Sequence, residues 1–406
     1  MKVALVHDHL AQDGGAERVL AIFHKIYPDA PIFVLVYDSK RANKVFQKAK
    51  IETSFIQKMP WGLKRYQWYL PLMPLAVEKY NLFDYDLVIS SSSAFAKGII
   101  TKPDSVHICY CHTPTRFLWS DTHSYTEELK YNKVIKKFIP SSLHKIRLWD
   151  RLASDRVDKF IANSQNIAGK IRKYYRRESE VIYAPVDIDK FQIASKIDSY
   201  FLTGGRLVAY KRFDLTIEVF NRLGWPLKIF GSGPEMKSLK KKARPNIEFL
   251  GRVSDKNLAN LYARAKAFIF PQEEDFGITA LESMASGRPV IAYGRGGALE
   301  TVIPGKTGIL FFKQTFDHLA EAVRKFNEHD FNPREIREYA AQFDIKIFEN
   351  KIRDFISKSQ GSIPHHQETS KPVEITDKPQ EEPKPEKTQG PKEDTTEDGK
   401  VKPLSI

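Results

Sequence analysis

Pro271-Gln-Glu-Glu-Asp-Phe-Gly-Ile-Thr-Ala-Leu-Glu-Ser-Met-Ala-Ser-Gly287 decides how this chain is read. The stretch begins where an apolar run, Ala267-Phe-Ile-Phe270, stops at Pro271, marking the end of a buried strand. Thr279 is placed to cap a helix from about Ala280 to Ser286, and Gly287 suits the left-handed residue that closes it. Pro289-Val-Ile-Ala-Tyr293 then starts another strand. Strand, turn, helix and strand form an α/β unit, and in open sheets of this class ligands sit at the carboxyl ends of the strands. Two carboxylates frame the turn, Glu274 before Gly277 and Glu282 on the helix. The amides of Gly277, Ile278 and Thr279, free at the helix start, favour a phosphate. Acceptors for sugar hydroxyls beside donors for phosphate suit a nucleotide-sugar.

Moving outward, the strand-and-loop rhythm repeats in both directions. Downstream, Gly294-Arg-Gly-Gly-Ala-Leu-Glu-Thr-Val302 is another glycine loop, with Glu300 placed either to touch a nucleotide or to cap the turn. Thr307-Gly-Ile-Leu-Phe-Phe312 is the last strand, and apolar residues at Phe343, Ile345, Ile347, Phe348, Ile352 and Ile356 recur at helical spacing. Upstream, Leu227-Lys-Ile-Phe-Gly-Ser-Gly-Pro-Glu235 and Ile247-Glu-Phe-Leu-Gly-Arg-Val253 are strand–loop units. Tyr200-Phe-Leu-Thr-Gly-Gly-Arg-Leu-Val-Ala-Tyr-Lys-Arg-Phe213 carries a loop with Arg206, Lys211 and Arg212, cations able to neutralise a pyrophosphate.

The first half holds buried strands at Lys2–His7, Pro31–Tyr37, Asp86–Ser92, Val106–His112, Lys159–Ser164 and Glu180–Pro185. Asn163-Ser164 is placed to cap the helix that follows. Gly14 and Gly15 open a helix after the first strand and let backbone approach a ligand, but G-x-G-x-x-G is absent, so no dinucleotide fingerprint exists. His112 lies at a strand's carboxyl end, where sites form. Cys109 and Cys111 beside it do not share one face with His112, which is poor tetrahedral geometry, so both read as core residues and no metal is expected. Between these strands, Trp61, Tyr66, Trp68 and Tyr69 interleave with Lys58, Lys64 and Arg65. That pattern suits a segment lying on an anionic membrane, and equally a helix pair packing its rings inward. Lys130, Lys133, Lys136, Lys137, Lys145 and Arg147 extend the basic character.

Composition bounds the function. The 406 residues leave room for two domains, and the formal net charge is +14. Residues 361–406 hold 7 Lys against 10 acidic residues and no aromatic, so the rest of the chain is near +17 and the tail is expected to be disordered. No apolar run reaches membrane-spanning length, His7-Asp8 interrupts the first strand too early for a signal peptide, and two cysteines give no disulfide framework. These features fit the cytosol and an anionic partner.

The spacing of Glu274 and Glu282 resembles the E-x7-E motif of retaining glycosyltransferases, and its surroundings look like those of family 4 with the GT-B fold. Two solvated carboxylates would also show this spacing; the glycine turn and flanking strands decide for the motif. Cys111-His-Thr-Pro resembles the family's H-T-P stretch, Gly205-Arg-Leu with Lys211 its G-R-L-x-x-x-K arrangement, Pro185-Val-Asp with Phe191 its interdomain linker, and Asp13-Gly-Gly-Ala-Glu-Arg-Val19 its first loop. The resemblance covers Met1 to about Lys358 and implies two Rossmann-like domains facing across a cleft. Residues 1–190 would form the acceptor domain, 191–342 the nucleotide-sugar domain, and 343–358 a helix returning to the first. It implies that Glu274 and His112 hold the sugar and Glu282 the ribose. Arg206 and Lys211 would bind the diphosphate with the Gly14, Gly15, Phe276, Gly277, Ile278 and Thr279 backbone, and Val253 would lie near the base. The implied reaction is retaining hexosyl transfer without a metal. His7-Asp-His9, with Tyr-Lys-Arg-Phe213 and Cys-His-Thr-Pro, most resembles bacterial mannosyltransferases of polysaccharide or O-antigen assembly. GDP-mannose as donor and a polyprenyl-diphosphate-linked saccharide as acceptor are therefore expected, at the inner membrane face. A nucleotide-sugar epimerase or hydrolase on the same fold is the alternative. A basic nucleic-acid-binding protein lacks a recognition motif here.

Overall fold

The computed structural model describes residues 1–122 and 133–360. Lys130 and the tail expected to be disordered over 361–406 lie outside the described residues, as do the side chains of Lys133, Lys136 and Lys137.

Two parallel sheets carry the chain. In the first, β1 (Val3–His7), β2 (Ile32–Val34), β3 (Ile51–Thr53), β4 (Leu87–Ser92), β5 (Val106–Cys111), β6 (Lys159–Ala162) and β7 (Ser179–Val181) lie in the order β3-β2-β1-β4-β5-β6-β7. The second sheet holds β8 (Phe201–Arg206), β9 (Leu227–Ser232), β10 (Ile247–Gly251), β11 (Phe268–Phe270), β12 (Val290–Tyr293) and β13 (Gly308–Phe311) in the order β10-β9-β8-β11-β12-β13. These are two doubly wound, Rossmann-like α/β halves. Strands buried on both faces read as continuous apolar runs, which is why β4 and β5 are buried at every position. Alternation along β1 sends Leu5 into one core layer and Ala4 and Val6 into the other.

Each chain path runs outward from its starting strand and then returns to the other side of it. The order therefore reverses between β1 and β4, and again between β8 and β11. A crevice opens at such a reversal, outside the carboxyl ends of the two strands.

The turn after β11 departs from the cap expected of Thr279. Gly277, at φ +97°, is the residue before the first helical turn, and the helix spans Ile278–Ala285 with no side-chain cap. A Cβ there would lie 2.9 Å from the Phe270 ring, so the turn needs glycine for both its dihedral and its space. Gly287 closes the unit at φ +71°, as expected. Strand β3 was not foreseen, since Ile-Glu-Thr is too short to show a period.

The last helix, Ile345–Gln360, places Phe348, Ile352, Phe355 and Ile356 in the core of the first sheet. Phe343 instead joins the second core, and Ile347 faces outward, so the apolar stripe is narrower than its spacing implied. Arg337 clasps the crossing segment by donating to the carbonyls of Ile188, Phe191 and Ala285.

The aromatic, basic segment divides rather than choosing one of its two readings. Tyr66 and Tyr69 pack against the first core, whereas Trp61 and Trp68 are exposed, ring to ring at 6.1 Å, with Arg65 4.4 Å above Trp68. Among the described residues no helix is long and apolar enough to cross a membrane.

Candidate functional site

Both reversal points carry the residues singled out by sequence. On the first sheet, His7 ends β1 directly opposite Ser91 of β4, and Ser92 is opposite Cys111, so His112 follows one step beyond β5. On the second, Arg206 ends β8 and Glu274 follows β11.

The first half is wired internally. Asp8 accepts four backbone amides, Ser93 and Ala94 on one oxygen and Phe95 and Ala96 on the other, which shapes the loop after β4. Gly14 precedes the helix Gly15–Ile26, and its amide donates to Glu17 at 3.0 Å, so the carboxylate caps its own helix start. Gln12 donates to the other Glu17 oxygen, and His7 Nε2 stands 3.9 Å from it. Burial opposes the charge on Glu17, but the close approach and charge of His7, with His9, hold its pKa down at about 2. Burial likewise works against protonation of His7, yet Glu17 and Asp8 raise its pKa. His112 is different: burial pushes it down to about 4, so it is neutral near pH 7. Its ring lies edge-on to Tyr110, and Asn163 donates to its carbonyl at 3.0 Å. Ser164, not Asn163, caps the helix Gln165–Tyr175.

The loop after His112 is held from beneath. Buried Asp150 accepts from Lys97, Thr115, Trp119 and Tyr175, fixing the segment that carries Arg116. Cys109 and Cys111 are free thiols in the core, as expected, with burial pushing Cys109 up to about 12. Among the described residues no group of acidic, histidine and cysteine side chains has metal-holding geometry.

In the second half, Lys211 forms an ion pair with Glu274, its Nζ 2.9 Å from the carboxylate. Burial disfavours the ammonium, but Glu274 and Tyr210 outweigh it and raise its pKa. Arg206 is exposed and has no ion pair among the described residues, while its charge reaches His9 and Tyr66 of the first half. Ala280 donates back to Gly277, leaving the amides of Gly277, Ile278 and Thr279 without a protein acceptor among the described residues. The Phe276 ring is withdrawn into the core, stacked 5.6 Å from Tyr183, so only its backbone remains for a ligand. Val253 packs on the same core from the loop after β10.

The two halves meet through these loops. Gly15 sits against Ile278: a Cβ on it would be 2.8 Å from the Ile278 side chain. Arg18 donates to Glu282 at 2.5 Å, and Tyr262 donates to the other oxygen at 3.1 Å. Arg116 grips Asp275 with two donors at 2.9 and 2.6 Å, approaches Glu274 at 3.9 Å, and lies over the Tyr210 ring. Lys170 takes the other Asp275 oxygen at 2.7 Å. Burial works against the Asp275 charge, but Arg116 and Lys170 lower its pKa overall. Glu300, open to two readings by sequence, caps a helix of the other half, accepting the amides of Gln165 and Asn166 at 2.7 and 2.8 Å. Thus Gly15 and Ile278 meet across the halves, Glu282 is reached by Arg18 beside that loop, Lys211 pairs with Glu274, and Arg206 and His112 each lie within electrostatic reach of the opposite half. The sequence assigned no role to Arg18, Arg116, Asp275 or Lys170. Position in the loops at the strand ends was the signal for the first three.

The comparisons agree with this geometry. Residues 186–343 match the model for glycosyl transferases group 1, and residues 13–190 the model for glycosyltransferase family 4. The chain is 26% identical over 255 residues to the mouse alpha-1,3/1,6-mannosyltransferase ALG2, covering 53% of this chain and 58% of that protein. It is 36% identical over 113 residues to a GDP-mannose-dependent phosphatidylinositol monomannoside mannosyltransferase of Mycobacterium tuberculosis, covering 25% and 29%. The matched region spans between 31% and 58% of the length of the first curated relatives. Anabaena Alr3699/HepE, solved with UDP and glucose, superposes with a TM-score of 0.67 at 20% identity, over 88% of this chain and 99% of that one. That likeness shows the fold, GT-B.

Proposed function

This chain belongs to the glycosyltransferases of family 4, and from that premise we propose that it moves a hexosyl unit from a nucleotide diphosphate sugar to a hydroxyl acceptor with retention at the anomeric carbon. One observation carries the reading: the Lys211–Glu274 pair and the open amides of Gly277, Ile278 and Thr279 follow one strand end, where Ile278 meets Gly15 of the facing half. In this reading the diphosphate takes Arg206, Lys211 and the helix-start amides. These groups stabilise the charge that grows on the leaving group as the anomeric C–O bond breaks, and preorganised charges of this kind carry most of such a barrier reduction. No metal is assigned a role, because two side-chain cations already stand where that charge develops. Glu274 and His112 hold the hexose, and Glu282 receives the ribose.

The donor we propose is GDP-mannose, which the mannosyltransferase names among the relatives support. A polyprenyl-diphosphate-linked saccharide of cell-surface polysaccharide assembly is the proposed acceptor. The exposed Trp61 and Trp68 beside Arg65 would rest on the anionic inner face of the membrane, where that acceptor resides. The test is product analysis with GDP-mannose and UDP-glucose, each with and without a polyprenyl-diphosphate saccharide. Acceptor-dependent GDP release with an α-linked product supports the reading. Equal release without acceptor identifies a hydrolase, and an altered free nucleotide-sugar an epimerase. Turnover undiminished by a chelator is expected.

A further inference from the structure

Beneath His112 lies a buried polar chain that the reaction as described does not use. Its members are Glu17 and His7 at the end of β1, Ser91 on the neighbouring strand, and His112 itself. His7 and Glu17 are each 2% exposed, and Ser91 is fully buried.

The hydrogen bonds along this chain have a forced direction. His7 Nδ1 lies 3.0 Å from the backbone carbonyl of Ser91. A carbonyl only accepts, so His7 Nδ1 carries a proton. The Ser91 hydroxyl, 3.1 Å from that same nitrogen, therefore cannot donate to it. Its remaining neighbour is His112 Nε2 at 2.7 Å, and among the described residues no other acceptor is available to the Ser91 proton. Donation from Ser91 requires a lone pair on His112 Nε2. A neutral imidazole with its lone pair on Nε2 holds its proton on Nδ1. Nδ1 of His112 has no hydrogen-bond partner among the described residues, and the ring lies within electrostatic reach of Asp275 across the crevice.

We propose that Glu17, His7 and Ser91 are positioning residues that fix His112 as the Nδ1–H tautomer, so that it presents a hydrogen-bond donor to an oxygen of the bound hexose. The opposite tautomer would aim a lone pair at that oxygen and lose the interaction. Glu17 acts at the far end: its charge beside Nε2 favours the doubly protonated His7, which has no lone pair to offer Ser91, and its second oxygen holds the Gly14 amide at the start of the glycine loop. One carboxylate thereby sets both the loop and the histidine. The part of the proposal concerning the hexose rests on the glycosyl-transfer reading above; the tautomer itself does not.

The experiment uses the full chain labelled with ¹⁵N-histidine. The His112 signals are assigned by their disappearance in His112→Gln, and two-bond nitrogen–proton correlations report which nitrogen is protonated. The expected result at neutral pH is a protonated Nδ1 and a bare Nε2. A protonated Nε2 in the unaltered protein overturns the proposal without any turnover measurement, so its failure is distinguishable from failure of the transferase reading. Ser91→Ala removes the donor; the Nδ1–H preference should be lost and kcat should drop roughly tenfold with KM little changed. Glu17→Gln should lower the His7 pKa and shift the His112 tautomer less than Ser91→Ala does, because the Ser91 carbonyl still holds the His7 Nδ1 proton. Ser91→Thr, which keeps the hydroxyl, should restore both signals. A Ser91→Ala protein with the tautomer intact refutes the wiring, and one with the tautomer lost but kcat unchanged refutes its role on the sugar.

Discussion

Two buried carboxylates on helices that open at the crevice, Glu17 and Glu282, are satisfied in opposite ways. Glu17 takes all its partners from its own half: the Gly14 amide, Gln12 and His7. Among the described residues Glu282 is held within its half only by Tyr262, and its cation, Arg18, comes from the other. Asp275 repeats the second pattern, with Arg116 and Lys170 both supplied across the crevice. Glu17 is thus satisfied inside its own half, while Glu282 and Asp275 take their cations from the facing half. Hinged clefts that close around a substrate make and break cross-contacts of this kind.

The contrast can be broken at several points. The largest effect is expected where the second half meets developing charge: Arg206→Ala or Glu274→Ala should lower kcat roughly 10²–10³-fold with the fold intact, read by steady-state kinetics and a thermal melt. Donor turnover like the parent's would remove both residues from the site. Next, Asp275→Asn takes the common partner from Arg116 and Lys170, and urea unfolding should show a loss of roughly 2–3 kcal/mol. A neutral result would mean that the cross-pairs contribute nothing to stability.

Acid tests the first half. His107 and His112 are pushed by burial from 6.5 to about 4, so as pH falls from 6.5 toward 4 the unfolded chain takes up protons the folded one refuses. Stability therefore falls in that window, by up to about 3 kcal/mol for each histidine, before Glu17 adds its own loss between 4.5 and about 2. The raised pKa of His7 acts in the other direction, its contribution being complete below 6.5. Melting temperature against pH measures the sum, and a flat profile from 6.5 to 4 would contradict the neutral burial of His112. The smallest effect belongs to Arg18→Ala. Its guanidinium is 46% exposed, so stability should change by less than about 1 kcal/mol, while freeing Glu282 should tighten donor binding at most about fivefold. Weaker binding would make Arg18 a donor ligand instead.

How much was readable beforehand follows the range of the interactions involved. The strands other than β3, the glycine turn at Gly277, the position of His112 one step beyond β5 and a helix cap at the Asn163-Ser164 pair are written within a few neighbouring residues, and they came out where expected. Thr279 did not cap its helix, because a left-handed Gly277 starts it two residues earlier than the hydroxyl would. Glu300 kept two readings open until its acceptors met a helix 135 positions away. The aromatic segment likewise could not be divided by pattern alone, since Tyr66 and Trp68 differ in what the rest of the chain lays over them, not in their own chemistry.

By itself, the sequence determined two α/β halves, their glycine turns and the candidate residues at the strand ends, because backbone periodicity and glycine's dihedral freedom act locally. Only the tertiary structure decided which cation neutralises which carboxylate. Arg18 and Glu282 are 264 positions apart, and Arg116 and Asp275 are 159 apart. A charge in low dielectric is stabilised by whatever lies within a few ångströms of it, and sequence separation carries no information about that distance.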